Sequence, residues 1–251
     1  MSEKIQKILS HFGYGSRRKI EEMIELGIIL INGKKAVIGQ RVDNNNPGEI
    51  TIKGEKISIK KTQFATKVII YNKPEGEVCT RNDNQKRPTV FDKLPFLNIH
   101  RWISVGRLDL NTRGLLLFTN NGNLANKLMH PSNKIEREYY IRIFGEINKN
   151  TMNILKNGVK IKNSYASFKS IQVINHNKYS KKNKWFKGVL CEGKNREIRF
   201  MWKTVNCQVS RLIRIRYGNI ILPKNLKLGH WTELNSTLVD NLSKLVALKK
   251  Y

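Results

Sequence analysis

Long apolar stretches are missing. No run of about 18 apolar residues occurs anywhere in the 251 residues, so no segment reads as a membrane-spanning helix. The N-terminus, Met-Ser-Glu-Lys-Ile-Gln-Lys, is polar and lacks the apolar core of a signal peptide. Cysteine is scarce and scattered: Cys79, Cys191 and Cys207 form neither a disulfide framework nor a CxxC metal knuckle. His11, His100, His130, His176 and His230 show no HxxxH or HxE spacing, which argues against a zinc deaminase and leaves no metal site to name. There is no GxxxxGK[ST], no GxGxxG and no GxSxG, so nucleotide hydrolysis, dinucleotide binding and a nucleophile elbow all lack support. The nearest Gly-rich piece, Asn120-Asn121-Gly122-Asn123, reads as a turn.

Acidic residues are also in short supply. Lys and Arg number 47 against 19 Asp and Glu, a formal net charge of +28. Such an excess points to a polyanionic partner, and with no membrane segment that partner is nucleic acid. Three unpaired thiols fit a reducing cytoplasm. Lys (32) and Asn (28) together make about a quarter of the chain, a bias that base composition of the genome can also produce. The 39% hydrophobic content suffices for a real core in one or two domains.

Residues 1–60 read as a small α+β module. Ile5, Ile8, Leu9 and Phe12 mark one helical face, and Gly13-Tyr14-Gly15 breaks it. Ser16 can cap a second helix with Ile20, Met23 and Ile24 on its apolar face and Gly27 at its stop. Ile28–Ile31 reads as a strand, Asn32-Gly33 as a type I′ hairpin turn and Ala36-Val37-Ile38 as the returning strand. A loop follows over Asn44–Gly48, then a strand over Glu49–Ile52. Arg17, Arg18 and Lys19 open the second helix. A mixed-charge helix is ordinarily a solvated face, but three cations in the first turn gain nothing from the helix dipole, which favours a place at RNA phosphate.

Residues 61–66 read as a linker, and 67–251 as a longer α+β domain. Strands are expected over Val68–Tyr71, Gly114–Phe118, Glu138–Phe144 and Trp185–Cys191. Helices are expected around Leu124 and Leu128, over Asn195–Val205, and through Leu238, Leu242, Leu245 and Val246. Strands and helices mix without strict alternation. The fold class is therefore α+β, with a large, mostly antiparallel mixed sheet flanked by helices.

Aspartate occurs only at 43, 83, 92, 109 and 240. Asp109 stands apart: it precedes a strongly apolar strand and lies between Arg107 and Arg113, so it is either a structural ion pair or a reactive carboxylate. Arg196, Arg199 and Lys203 share a helical spacing that would put them on one basic face. Tyr139 alternates with Ile141 and Ile143, as a core aromatic or an aromatic platform would. Asn177–Lys187 mixes five lysines with three aromatics, a solvated hairpin or a grip for single-stranded RNA.

Two resemblances add to these readings. Lys4–Leu9, Gly15–Glu21, Gly27–Lys34 and Gly39–Val42 resemble an S4 domain, a small RNA-binding module, over residues 2–45. Asn72-Lys-Pro-Glu-Gly76, Gly106-Arg-Leu-Asp-Leu-Asn-Thr-Arg-Gly-Leu-Leu-Leu117, Arg137-Glu-Tyr139 and Gly193-Lys-Asn-Arg-Glu-Ile-Arg199 are similar, in order, to the motifs of RNA pseudouridine synthases. Together the likeness spans about residues 2–235 and is nearest to members with an S4 domain that modify a single ribosomal uridine. Glu77–Asp83, Arg87–Pro95, Arg101-Trp102 and Val209–Gly218 narrow it to those acting on 23S (large-subunit) ribosomal RNA.

The resemblance implies a reaction without metal, nucleotide or redox cofactor: the N1–C1′ bond of a uridine breaks, the base rotates, and it rejoins through C5. It places the essential carboxylate at Asp109, its charge partner at Arg199 and a tyrosine that stacks on the flipped base at Tyr139. An arginine nearby holds a carboxylate ionised. Arg107 would orient or flip the RNA, and Lys73 would be structural or phosphate-directed. Arg196, with Arg17, Arg18 and Lys19, would contact RNA. Relatives often carry a basic residue directly after Arg199, where this chain has Phe200. The partner expected is ribosomal RNA, as a large-subunit precursor or naked RNA, bound by a monomer. An RNA-binding assembly factor without activity, and a synthase with a small-subunit or neighbouring target, remain open at this level.

Overall fold

A computed structural model describes residues 2–43, 46–59, 65–97, 101–161, 164–174 and 183–248. Asn44 and Asn45 of the expected loop, positions 61–64 of the expected linker and positions 177–182 of the basic aromatic segment lie outside the described residues. The chain divides into two compact units. One holds the N-terminal segment to Ala65 with Phe96–Arg101, the other Thr66–Pro95 and Trp102–Lys250. Among the described residues no helix is long and apolar enough to cross a membrane.

The N-terminal unit runs β1 (Ser2–Lys4), α1 (Ile5–His11), α2 (Arg17–Glu25), β2 (Ile29–Ile31), β3 (Lys34–Lys35), β4 (Arg41–Asp43), β5 (Ile50–Ile52) and β6 (Glu55–Ile57). β1 pairs with β4, and the other strands form a sheet in the order β3-β2-β5-β6. The apolar faces of α1 and α2 close on Ile29, Ile31 and Ile50 as one buried core. Ser16 caps α2 as its position predicts, its Oγ accepting from the Lys19 amide at 3.0 Å. Asn32 and Gly33 both take positive φ, 51° and 75°, and close β2 on β3. The strand expected over Ala36–Ile38 is displaced. Pairing occupies Lys34–Lys35, only Ala36 turns inward, and Val37 and Ile38 lie exposed (65% and 53%). The reason is the turn that follows. Gly39 has φ 79°, and the Val37 amide donates to the Gln40 side chain at 3.0 Å, which leaves no edge to pair with.

The second unit runs β7 (Val68–Lys73), β8 (Ile103–Ser104), β9 (Arg113–Thr119), α3 (Gly122–Met129), β10 (Arg137–Phe144), α4 (Lys149–Asn157), β11 (Val159–Ile161), β12 (Ser164–Ala166), β13 (Ser170–Ile174), β14 (Asn183–Leu190), α5 (Glu197–Thr204), β15 (Gln208–Tyr217), β16 (Ile220–Ile221), β17 (Trp231–Glu233) and α6 (Ser236–Leu245). Nine of its strands form one sheet, ordered β13-β14-β10-β15-β9-β7-β17, with β8 against β9 and β16 against β15. Every pairing is antiparallel except β15 with β9.

β9 is central because it is apolar on both faces. Leu115 and Leu117 join Val68, Ile70, Leu124 and Leu128 in one core. On the other side Phe118 meets Tyr71 and Phe91 edge-on, at 6.2 and 5.3 Å between ring centres. A second core lies over the other half of the sheet, where Ile141, Ile143, Phe186 and Leu212 pack under Ile198, Met201 and Trp202 of α5 and Leu155 of α4.

The one parallel step depends on Gly114. It has φ 105°, and a Cβ built there would come within 2.3 Å of the Arg214 carbonyl oxygen. Gly106, with φ 78°, has open space where its Cβ would be. Gly114→Ala is therefore expected to cost more than about 2 kcal/mol, because the adjoining strand must move. Gly106→Ala is expected to cost only about 1–2 kcal/mol of backbone strain. Urea unfolding read by tryptophan fluorescence compares them, since Trp102, Trp185, Trp202 and Trp231 all lie in this unit.

Candidate active site

Asp109 sits in the loop between β8 and β9, half-buried, at the first position of a turn in which the Thr112 amide donates to the Asp109 carbonyl at 3.0 Å. The loop is held from below by Lys73, the last residue of β7. Lys73 has no exposed surface. Its Nζ donates to the carbonyl oxygens of Pro74 (2.9 Å), Thr112 (3.0 Å), Asp109 (3.2 Å) and Leu110 (3.5 Å). The Gly76 amide adds a bond to the Leu110 carbonyl at 3.0 Å. Burial pushes the Lys73 ammonium below its ordinary pKa, while the negative charges of Glu77, Asp109 and Glu75 act against the shift. A residue expected to be structural or phosphate-directed is thus wholly enclosed. It grips the turn by its carbonyls and presents nothing to RNA.

Cys79 secures the other side. Its Sγ lies 3.4 Å from the Leu108 amide, which donates to it, and 3.3 Å from the Leu108 carbonyl, to which the thiol donates. Both backbone groups of the residue between Arg107 and Asp109 are satisfied by one side chain. Burial raises the Cys79 thiol, against the pull of the Leu108 bond and the charges of Lys73, Arg214 and Arg107. Arg107 itself is exposed.

Arg199 approaches from α5. Its Nη2 donates to the Asn111 carbonyl at 2.8 Å, inside the turn that begins at Asp109, and its Nη1 donates to the Val209 carbonyl at 3.0 Å. Burial lowers its pKa, the Asp109 carboxylate opposes that, and neighbouring Arg196 adds to it. Asp109 and Arg199 therefore act on each other through space; among the described residues no direct ion pair joins them. Asp109, Arg107, Lys73 and Arg199 thus meet around one turn. Arg196 does not share the helical face expected for it. It stands before the first turn of α5 in a left-handed conformation (φ 50°), exposed, and only Arg199 and Lys203 lie on the helix.

Tyr139 is 8% exposed and points to the same side as Ile141 and Ile143. Strand register sets it in a row: Gly188 on β14, Tyr139 on β10, Arg214 on β15 and Gly114 on β9. Tyr139 is thus two strands from Gly114, the second residue of β9. Between them lies Arg214, 2% exposed, with Nε donating to the Leu115 carbonyl at 2.7 Å and its guanidinium 5.2 Å from the Tyr217 ring centre. Its Nη2 has no hydrogen-bond partner among the described residues. Cys79 and Arg214 both fall within stretches that carry the resemblance, but no periodicity singles them out; only the fold brings them to the loop. Arg17, Arg18 and Lys19 are exposed on the first turn of α2 in the other unit. Among the described residues no three His, Cys, Asp or Glu side chains converge as metal ligands would.

Comparison with known proteins agrees with both halves of the chain. A family model described as RNA pseudouridylate synthase matches residues 67–204, and an S4 domain model matches residues 3–46. The chain is 79% identical, over 99% of both sequences, to a Ribosomal large subunit pseudouridine synthase B of Buchnera aphidicola subsp. Acyrthosiphon pisum (strain APS). It is 49% identical to a protein of the same name from Escherichia coli (strain K12), over 99% of this chain and 84% of that one. Among solved structures, a crystal structure of pseudouridylate synthase superposes with a TM-score of 0.63 at 20% identity, covering 95% of this chain and 99% of the other, which establishes a shared fold.

Removing the buried ammonium tests the loop. Lys73→Met takes the donor from the Thr112 and Pro74 carbonyls, while Asp109 and Leu110 keep the Thr112 and Gly76 amides, at about 1–3 kcal/mol for each buried group left unpaired. Calorimetry is expected to show a melting temperature lower by roughly 5 °C or more. Lys73→Arg is expected to rescue neither stability nor any activity that depends on Asp109, because a planar guanidinium cannot fill a site shaped by converging carbonyls.

Proposed function

This chain belongs to the RNA pseudouridylate synthase family, and from that premise we propose that it converts one uridine of 23S (large-subunit) ribosomal RNA to pseudouridine, with Asp109 as the catalytic carboxylate. As a member of the family it is an isomerase that acts on RNA. The large-subunit target rests on the names of the relatives that match it across its whole length.

The observation that carries the assignment to Asp109 is the way its turn is built. Four carbonyl contacts from Lys73, the Arg199 bond to Asn111 and the Cys79 bonds to Leu108 all fix the backbone. None of these bonds uses the Asp109 carboxylate. A side chain held in place this way, and without a direct ion pair among the described residues, is organised for a reacting atom rather than for stability.

The overall change is balanced: the N1–C1′ bond breaks, a C5–C1′ bond forms, and one hydrogen leaves C5 while another joins N1. The carboxylate either attacks the uridine covalently or removes a sugar proton, and both roles need it ionised. Arg199 supplies the nearby positive charge. Tyr139 offers its ring to the base once it has left the helical stack, worth about 1–3 kcal/mol for a stacked base. Arg107, exposed two residues before Asp109, meets the RNA at the mouth of the site. Arg17, Arg18, Lys19 and Arg196 present their charges to phosphate.

Asp109→Asn keeps size and removes charge. It is expected to abolish pseudouridine formation in 23S ribosomal RNA while RNA affinity stays within a few-fold; retained turnover, mapped by chemical probing of the modified position, would sink the assignment. Arg199→Lys keeps the charge but cannot bridge the Asn111 and Val209 carbonyls together. Single-turnover rates are expected to fall by roughly 10–100-fold with little change in Kd.

A further inference from the structure

The outer face of the catalytic sheet carries an aromatic and cationic array that the reaction leaves unused. Helices α4 and α5 cover the face of β10 that bears Tyr139, Ile141 and Ile143. On the opposite face Tyr140 and Phe144 are 38% and 46% exposed, with Arg142 between them. Register sets Arg142 directly opposite Trp185 of β14 on one side and Arg211 of β15 on the other. Three aromatics thus surround two arginines.

The charges on this face are unbalanced. Among the described residues neither Arg142 nor Arg211 has a carboxylate partner, and Asp and Glu are absent from the rows through Tyr140, Arg142 and Phe144. The one acid on β10, Glu138, is already held by Lys187 (3.1 Å) and Arg216 (3.4 Å). Two arginines directly opposite on neighbouring strands repel each other, a cost to the free sheet. An anion bound between them would offset it.

We propose that this face is a second RNA platform. It takes an unpaired segment of the substrate RNA, with bases on Tyr140, Phe144 and Trp185 and phosphate at Arg142 and Arg211. The array measures about 13 Å along β10 and about 10 Å across the three strands β14, β10 and β15, large enough for a short run of nucleotides in extended form. Flat rings seat any base, and the arginines add charge and cation–π contact, so the platform binds without reading sequence. Charge complementarity selects RNA over a protein partner: the chain carries +28, and its family acts on RNA. The inference deepens the proposed ribosomal RNA reading and rests on it.

The test uses the full chain and a 23S ribosomal RNA transcript, with two double variants, Arg142→Gln/Arg211→Gln and Tyr140→Ser/Phe144→Ser. Filter binding is expected to show affinity for the transcript reduced about 10-fold in each. The arginine pair is expected to flatten the slope of log Kd against log salt by roughly 1.4, two single-strand phosphate contacts. The rate at saturating RNA should stay within two-fold. Because the arginine side chains are on the surface, that variant decides the matter even where the aromatic one fails to fold. Affinity within two-fold of wild type in the folded variants overturns the platform. So does loss of a dimer by sedimentation with RNA affinity unchanged, which would make the face an interface between copies. Absence of pseudouridine from the transcript after treatment with wild-type protein would instead sink the substrate reading, and the binding comparison would still decide the platform.

Discussion

The Lys73 ammonium, buried among backbone carbonyls, is the contact on which the rest of the site depends. An isolated buried cation is expensive, and a salt bridge is the usual remedy. Here the remedy is a ring of peptide oxygens, four of them within 3.5 Å. That choice has a structural consequence. Carbonyls converge on one point only if the Pro74 bend and the Asp109–Thr112 turn both fold toward it, so satisfying the charge shapes the loop. It also spares the Asp109 side chain from serving as the counterion. Burial of Lys73 and availability of the Asp109 carboxylate are two sides of one arrangement.

Arg199 and Arg214 repeat the theme. Each directs N–H groups at backbone oxygens, Arg199 at Asn111 in the Asp109 turn and at Val209 of β15, Arg214 at Leu115 of β9. Lys73 and Arg199 thus hold the turn itself, and Arg214 the strand that follows it. The fixed fork of arginine suits this, since it ties two elements while keeping its charge. The net charge of the protein is therefore of two kinds. Some of it faces solvent, as at Arg17, Arg18 and Lys19, and some is internal scaffolding that a count of charges cannot tell apart from the first.

How far the sequence spoke depended on whether a position obeyed a local rule. The Ser16 cap, the Asn32–Gly33 turn and the apolar run of β9 are local, and each could be read from neighbours in the chain. The α+β class and mixed sheet followed from the spacing of such elements. β15, the strand beside both Tyr139 and Gly114, went unread as a strand because two register shifts against β10 break its alternation and move the charged Arg214 to the buried face. Val37 and Ile38 misled in the opposite sense, being apolar yet left in a turn by Gly39. At the site, Asp109, Arg199 and Tyr139 were reached through motif resemblance, whereas Cys79 and the enclosure of Lys73 are set by contacts between residues 29 to 39 positions apart. No window along the chain contains them.

The parallel pairing at Gly114 bears on how the protein comes into being. Arg113 lies beside Ile213, so the strand that follows Asp109 finds this neighbour only after another hundred residues have been made. A chain leaving the ribosome could pair β9 with β7 early. Arg199, Val209 and Arg214 all arrive late, and closing so long a loop is among the slower events in folding. Until then Asp109 stands on a turn with only part of its support. A chain that ends before Arg199 therefore lacks every contact that Arg199 and Arg214 make with Asn111, Val209 and Leu115.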